Sequence, residues 1–144
     1  MRSCGPKNMR ARMAKLDCRS ALGISVIASR EFPPGKAYCP LHWHVRAEEF
    51  FYVIEGRPSI RTLRGSFACR PGDFIAFPTG ESGAHQVFNE SNEPCLVLLV
   101  GIEEDAVELE ACFYPDSDKV GMWTPAGRLR LLRASPDIDY YDGE

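Results

Sequence analysis

His42-Trp43-His44-Val45-Arg46-Ala47-Glu48-Glu49-Phe50-Phe51-Tyr52-Val53-Ile54-Glu55-Gly56 puts two imidazoles, a short connection, two carboxylates and an aromatic, β-branched run into fifteen residues. On a strand, residues two apart face the same side, so His42 and His44 project together while Trp43 points away. Phe50 to Ile54 is built of residues that favour strands. A hairpin through Val45-Arg46-Ala47 would bring Glu48 or Glu49 beside the two imidazoles. The chain has three histidines in all. The third, His85, lies in Ala84-His85-Gln86-Val87-Phe88-Asn89, behind the glycine-bearing loop Pro78-Thr79-Gly80-Glu81-Ser82-Gly83. Taken singly, a buried histidine is more often a hydrogen-bonded core residue than a ligand. Taken together, they occupy strand-and-turn contexts able to converge on one metal ion.

Outward from this stretch, the chain between Ile24 and Gly101 reads as short strands broken by Gly and Pro. The expected strands are Ile24–Arg30, Tyr38–His44, Glu49–Ile54, Ser59–Leu63, Phe74–Phe77, Ala84–Phe88 and Cys95–Gly101. Pro33-Pro34-Gly35, Glu55-Gly56-Arg57-Pro58, Arg64-Gly65 and Arg70-Pro71-Gly72-Asp73 supply turn chemistry between them. Several short strands at near-regular spacing argue for an all-β barrel or sandwich. No long helical periodicity is present. Met9–Leu16 and Glu104–Glu110 suit a helical turn or two, and Ala106–Phe113 suits a strand instead. The organisation expected is a basic N-terminal segment over 1–22, a barrel over 23–125, and a C-terminal extension over 126–144 packing on the barrel or on a partner subunit.

At 144 residues the chain has the size of one domain and can bury a core without staples. Its formal net charge of −3 gives no electrostatic support for a nucleic-acid partner. Charge is uneven: Arg2, Lys7, Arg10, Arg12, Lys15 and Arg19 stand against Asp17 at the start, while Asp137, Asp139, Asp142 and Glu144 close the chain. There is no apolar signal-peptide core and no run of about 18 apolar residues, so no membrane association is expected. None of the six cysteines forms a C-x-x-C pair, which removes zinc ribbons and thioredoxin-type motifs. Reduced thiols in a cytoplasmic protein are expected, with Cys39, Cys69 and Cys95 as small core residues. Arg57, Arg61 and Arg64 gather near one hairpin as a solvated edge.

These motifs resemble those of the cupin superfamily. The first cupin motif runs H-x-H, three or four residues, Glu, six residues, Gly; here His42-x-His44 is followed by four residues, Glu49, six residues and Gly56. The second runs Gly, five residues, Pro-x-Gly, a short gap, His, three residues, Asn; here Gly72, Pro78-Thr79-Gly80, His85 and Asn89 fill it. Gly35 lies one residue too far from His42, and the gap from Gly80 to His85 is four residues where two is usual; both departures fall in loops. The tails resemble one group of small bacterial cupins, which carry Tyr-Pro-Asp-Ser, here Tyr114 to Ser117 with Lys119 nearby, and a Tyr-x-Asp-Gly-Glu ending, here Tyr140 to Glu144. The resemblance implies a double-stranded β-helix (jelly-roll barrel) holding one divalent metal through His42, His44, Glu49 and His85. Spacing to Gly56 selects Glu49 over Glu48, which is left solvated or next to the ligands.

Three imidazoles and one carboxylate suit Fe, Mn, Ni, Cu or Zn, and differ from closed, cysteine-rich structural zinc sites. An open ion can polarise a carbonyl, orient a bidentate oxygen ligand or bind O2 beside a substrate. Gln86, Asn89 and backbone carbonyls are candidates for orienting the imidazoles. By strand parity Tyr38, Pro40, Phe51, Val53, Val87 and Asn89 would face the interior and line a mostly apolar pocket for a small molecule. The function expected is that of a metal-dependent enzyme on an oxygen-rich metabolite, by dioxygenase, isomerase or cyclase chemistry. The alternative is a non-catalytic sugar- or carboxylate-binding or sensing module. The resemblance makes a homodimer the expected assembly.

Overall fold

A computed structural model of the chain describes residues 24–103, 110–123 and 128–143. The N-terminal segment over 1–22, with its helical reading of Met9–Leu16, lies outside the described residues, as do residues 104–109. Among the described residues, eleven strands make up almost all of the regular structure: β1 (Ile24–Phe32), β2 (Trp43–His44), β3 (Ala47–Glu55), β4 (Ser59–Thr62), β5 (Gly65–Ala68), β6 (Phe74–Phe77), β7 (His85–Phe88), β8 (Cys95–Glu103), β9 (Glu110–Tyr114), β10 (Lys119–Trp123) and β11 (Leu129–Arg133). Short 3-10 turns cover Glu81–Gly83 and Pro115–Ser117. No described helix is long and apolar enough to cross a membrane.

The strands form two facing walls. One is the antiparallel sheet β1-β8-β3-β6. β8 (CLVLLVGIE) is apolar almost throughout because it is central, paired with β1 on one side and β3 on the other. β3 alternates: Ala47, Phe51 and Val53 are buried, while Glu48, Tyr52 and Ile54 face out. The second wall joins the sheet β11-β10-β9-β2 to the sheet β5-β4-β7 through a bridge between His42 and His85. Phe32, Phe51, Val53, Ile60, Phe77, Val87, Val97 and Leu99 meet between the walls as the apolar core.

Tyr38–His44 is not one strand. Only Trp43–His44 pairs as a strand, with isolated bridges at Ala37 and His42. Pro40 has no N–H to give a ladder, which breaks the run, and Pro40 is exposed rather than turned inward. Of the segment read as helix or strand, residues 110–113 belong to β9, which runs on to Tyr114. Beyond residue 125, β11 pairs with β10 over its full length.

Candidate metal centre

His42 and His85 sit directly opposite each other across the bridge that joins the two halves of the second wall. Each backbone N–H donates to the other's carbonyl, at 3.1 Å from His42 and 2.9 Å from His85. Side chains of such a pair leave the same face, and the two rings stand 4.7 Å apart. His44, two residues along, places its ring 5.0 Å from that of His42. Glu49 arrives from the opposite wall, where it pairs with Phe77 and Gly101. Its Oε2 lies 3.0 Å from His85 Nε2 and 3.7 Å from Nε2 of both His42 and His44. Residues from two separated stretches thus meet between the sheets.

The other ring nitrogens are each matched to an acceptor. His42 Nδ1 faces the Pro40 carbonyl at 3.0 Å, His85 Nδ1 the Gly83 carbonyl at 2.9 Å, and His44 Nδ1 the Glu110 carboxylate at 3.2 Å. Only a protonated Nδ1 satisfies these partners, which assigns the proton to Nδ1 and leaves the Nε2 lone pairs pointing inward. Glu110 is itself fixed, since its two oxygens also accept the backbone N–H groups of Val45 and Arg46. A carboxylate behind an imidazole is the common way a metal-ligating histidine is held.

Glu49 Oε2 and His85 Nε2 are both buried and lack a hydrogen-bond partner. In this tautomer both atoms are acceptors, and a cation between them, whether proton or metal, satisfies both across 3.0 Å. The donors therefore fit a metal ion, and His42, Glu49 and His85 place one ligand atom each within 4.8 Å of the others. Burial, and then the neighbouring His85, pushes the His42 pKa down to about 4, so its imidazole is neutral at ordinary pH. Burial alone would raise the Glu49 pKa; the surrounding imidazoles, His85 foremost, outweigh it and hold the carboxyl below its usual range.

Aromatic rings confine the ligands. Phe77 stacks on His85 with ring centres 3.7 Å apart, and Phe51 meets the same ring edge-on at 5.6 Å. Tyr114 stacks over His42 at 5.9 Å and Trp123 over His44 at 6.5 Å. Two thiols border the site: burial and the Glu49 charge raise the Cys39 pKa to about 12, and Cys112, wholly buried, lies against the His44 ring.

Tyr38 is half-buried, packs edge-on against Phe51 and accepts a long hydrogen bond from Arg30. Val53 and Val87 belong to the apolar core. Asn89 spends its carboxamide on the turn into β8, donating to the Phe32 and Glu93 carbonyls and accepting from Ser91. Gln86 donates to the Cys39 carbonyl and does not touch an imidazole nitrogen. Sequence reasoning did not single out Glu110, Cys112, Phe77, Tyr114 or Trp123 as neighbours of the site. A surface cleft of about 390 Å³ is lined by Val45, Arg46, Glu48, Thr79 and Ile102 and includes none of the donor side chains.

The family model described as the cupin domain matches residues 29–101. Among solved structures, the chain is similar to a sugar phosphate isomerase of the cupin superfamily from Silicibacter pomeroyi, with 27% identity, a TM-score of 0.69, and coverage of 82% of this chain and 68% of that one. It is also similar to a protein of Acidithiobacillus ferrooxidans provisionally named a sugar phosphate isomerase, with 25% identity, a TM-score of 0.69, and coverage of 78% and 70%. A predicted oxalate decarboxylase of Thermotoga maritima shares the fold at 24% identity and a TM-score of 0.53, over 57% of this chain and 69% of that one. No curated protein matches. With the jelly-roll walls, both motifs and a family match spanning half its length, the chain belongs to the cupin family.

Proposed function

We propose that this cupin is a metal-dependent enzyme acting on a small oxygen-rich metabolite, of the isomerase type, with phosphorylated sugars as the first substrate class to examine. The observation that carries the metal is the pair of buried acceptors, Glu49 Oε2 and His85 Nε2, facing each other at 3.0 Å. The substrate class rests on the likeness to the two sugar phosphate isomerase structures over about four-fifths of the chain. Three imidazoles and a carboxylate would hold one divalent ion, which supplies Lewis acidity toward a substrate carbonyl or hydroxyl pair.

The chain's own residues set the conditions for that chemistry. His42, His44 and His85 turn Nε2 inward because Pro40, Glu110 and Gly83 accept their Nδ1 protons. Glu49 offers the single negative charge, so a bound dication retains net positive charge. Phe51 and Phe77 exclude water from the His85 side, which strengthens electrostatic contacts there.

The test is incubation of protein loaded separately with Mn, Fe, Ni and Zn with aldose and ketose phosphates, followed by NMR. Interconversion that is lost on His42→Ala supports the proposal. Oxygen uptake without isomerisation would move the assignment to dioxygenase chemistry. A sugar phosphate that raises the melting temperature and is recovered unchanged would make the chain a binding module.

A further inference from the structure

Arg30 is a cation on the inward face of the barrel that neither the metal centre nor the core explains. On β1 it keeps step with Ala28 and Phe32, both buried, and it pairs with Val97 of β8, which in turn pairs with Val53 of β3. Paired residues send side chains to the same face, so a guanidinium shares a rung with two buried valines. β1 is the edge of its sheet, which leaves Arg30 half-buried at the rim of the interior. A guanidinium carries five N–H donors and is always charged. Nε donates to the Tyr38 hydroxyl at 3.4 Å and Nη1 to the Ser29 carbonyl at 3.2 Å. Among the described residues the other three donors find no acceptor, and no carboxylate pairs with the group.

Other arginines are spent on structural pairs: Arg61 gives both Nη nitrogens to Asp116, and Arg70 pairs with Asp73. Arg30 instead lies over the Tyr38 ring, 5.7 Å from its centre. Tyr38 meets Phe51 edge-on at 6.2 Å, and Phe51 meets His85 edge-on at 5.6 Å. Ring contacts thus run from Arg30 to an imidazole of the metal centre. The Glu49 rung continues through Gly101 to Val26, four residues before Arg30. Four residues along and two strands across put the Cα atoms of Arg30 and Glu49 about 16 Å apart. The two side chains, with a sugar phosphate of five or six carbons between them, span that distance.

We propose that Arg30 is the specificity-determining residue that takes the phosphate of a sugar phosphate whose oxygen-rich end meets the metal. The proposal rests on the sugar phosphate reading above and adds the group that recognises the phosphate. A guanidinium fork matches phosphate oxygens in bidentate fashion, and its free donors are available for that contact. Tyr38 steadies the fork through its hydroxyl and its ring face. A dication beside Glu49 keeps net positive charge, so with Arg30 the interior attracts a dianion from both ends. A neutral sugar would leave Arg30 without a partner.

The experiment is calorimetric titration of the full-length, Mn- or Zn-loaded protein at low and high salt. The probes are aldose and ketose phosphates of three to six carbons, the parent sugars, and the matching sugar acids. The wild type is expected to bind a sugar phosphate more tightly than its parent sugar, by a margin that shrinks as salt rises. Arg30→Gln is expected to lose about 10–100-fold in affinity for that phosphate, to lose the salt dependence, and to bind the parent sugar as the wild type does. Arg30→Lys keeps the charge without the fork and is expected to fall between the two. Arg70→Gln removes an exposed charge and is expected to match the wild type. Circular dichroism and bound metal per chain test each variant for an intact fold and centre, and Arg30→Lys carries the comparison if Arg30→Gln does not fold. Equal phosphate affinity with and without Arg30, or an equal loss for phosphate and parent sugar, overturns the role of Arg30 and leaves the sugar phosphate reading standing. Sugar acids bound through Arg30, with the phosphates ignored, overturn both and make the recognised anion a carboxylate. Binding of none of the three classes overturns both.

Discussion

Glu110 accepts the Nδ1 proton of His44 at 3.2 Å across 66 residues of sequence, and the same carboxylate takes the N–H groups of Val45 and Arg46. One side chain thus fixes both a ligand's tautomer and the β2–β3 connection that carries it. Glu110→Gln keeps one acceptor but presents N–H groups where an acceptor is needed. It should weaken metal affinity by about 10–100-fold, as loss of such outer partners does, measured by competition with a chromophoric chelator. Glu110→Ala strands the two backbone donors as well and should cost about 1–3 kcal/mol in urea unfolding. Unchanged affinity in Glu110→Gln would show that His44 is oriented by packing against Trp123 alone.

How much of this was readable beforehand follows from how far each signal reaches along the chain. β3 was legible because one face is buried and the other is not, so Phe51 and Val53 alternate with Tyr52 and Ile54. β5 was missed because Gly65, Ser66, Phe67 and Ala68 are all exposed and leave no periodicity. β11 was missed for the same reason, its leucines and arginines all lying at the surface. Parity placed Pro40 inside and failed where the chain leaves strand geometry before the His42 bridge. Glu110 and Cys112 had no local signature at all. Their roles arise when β9 is laid against β2, a pairing set by the whole fold and not by neighbours in sequence.

Acid should destabilise the metal-free protein earlier than ordinary carboxylate titration predicts. His42 has a pKa of about 4 when folded, against about 6.5 in an unfolded chain. Between those values the unfolded state holds a proton that the folded state refuses, so stability falls as pH drops through that window. The linkage is worth roughly 3 kcal/mol once pH reaches the lower value. Glu49, with its pKa held down, adds a loss of the same sign at lower pH. Melting temperatures of chelator-treated protein should therefore decline steadily from pH 6.5 to 4. The slope should flatten in His42→Gln. A level profile over this range would rule out a neutral, buried His42.

Metal loading should stabilise the fold, because the cation satisfies both Glu49 Oε2 and His85 Nε2. At a hundredfold excess over Kd the linkage contributes about 2.7 kcal/mol, roughly 5–10 °C in Tm for a domain of this size. Differential scanning calorimetry with Mn or Zn, and again after chelation, checks it. His85→Ala should abolish the shift. Because His85 also stacks on Phe77, its removal should lower the Tm of the metal-free protein too. An equal metal-induced rise in wild type and His85→Ala would place the bound ion elsewhere.

The two motif glycines should respond differently to the same substitution. Gly56 has φ of +81°, and a Cβ there would meet the Pro94 carbonyl oxygen at 2.6 Å and both Cα and Sγ of Cys95 at 2.8 Å. The chain end of β3 lies against the start of β8, and Cys95 is wholly buried, so neither side can give way. Gly72 has φ of +95° but open space around the absent Cβ. Gly72→Ala then carries backbone strain alone, about 1 kcal/mol or somewhat more. Gly56→Ala adds a steric clash in a packed region and should cost at least about 1–3 kcal/mol beyond that. The strand that would shift is β3, which carries Glu49, so metal affinity should fall in Gly56→Ala and hold in Gly72→Ala. Equal losses of stability in the two variants would mean that positive φ alone fixes glycine at both turns, with the close approach of β8 playing no part.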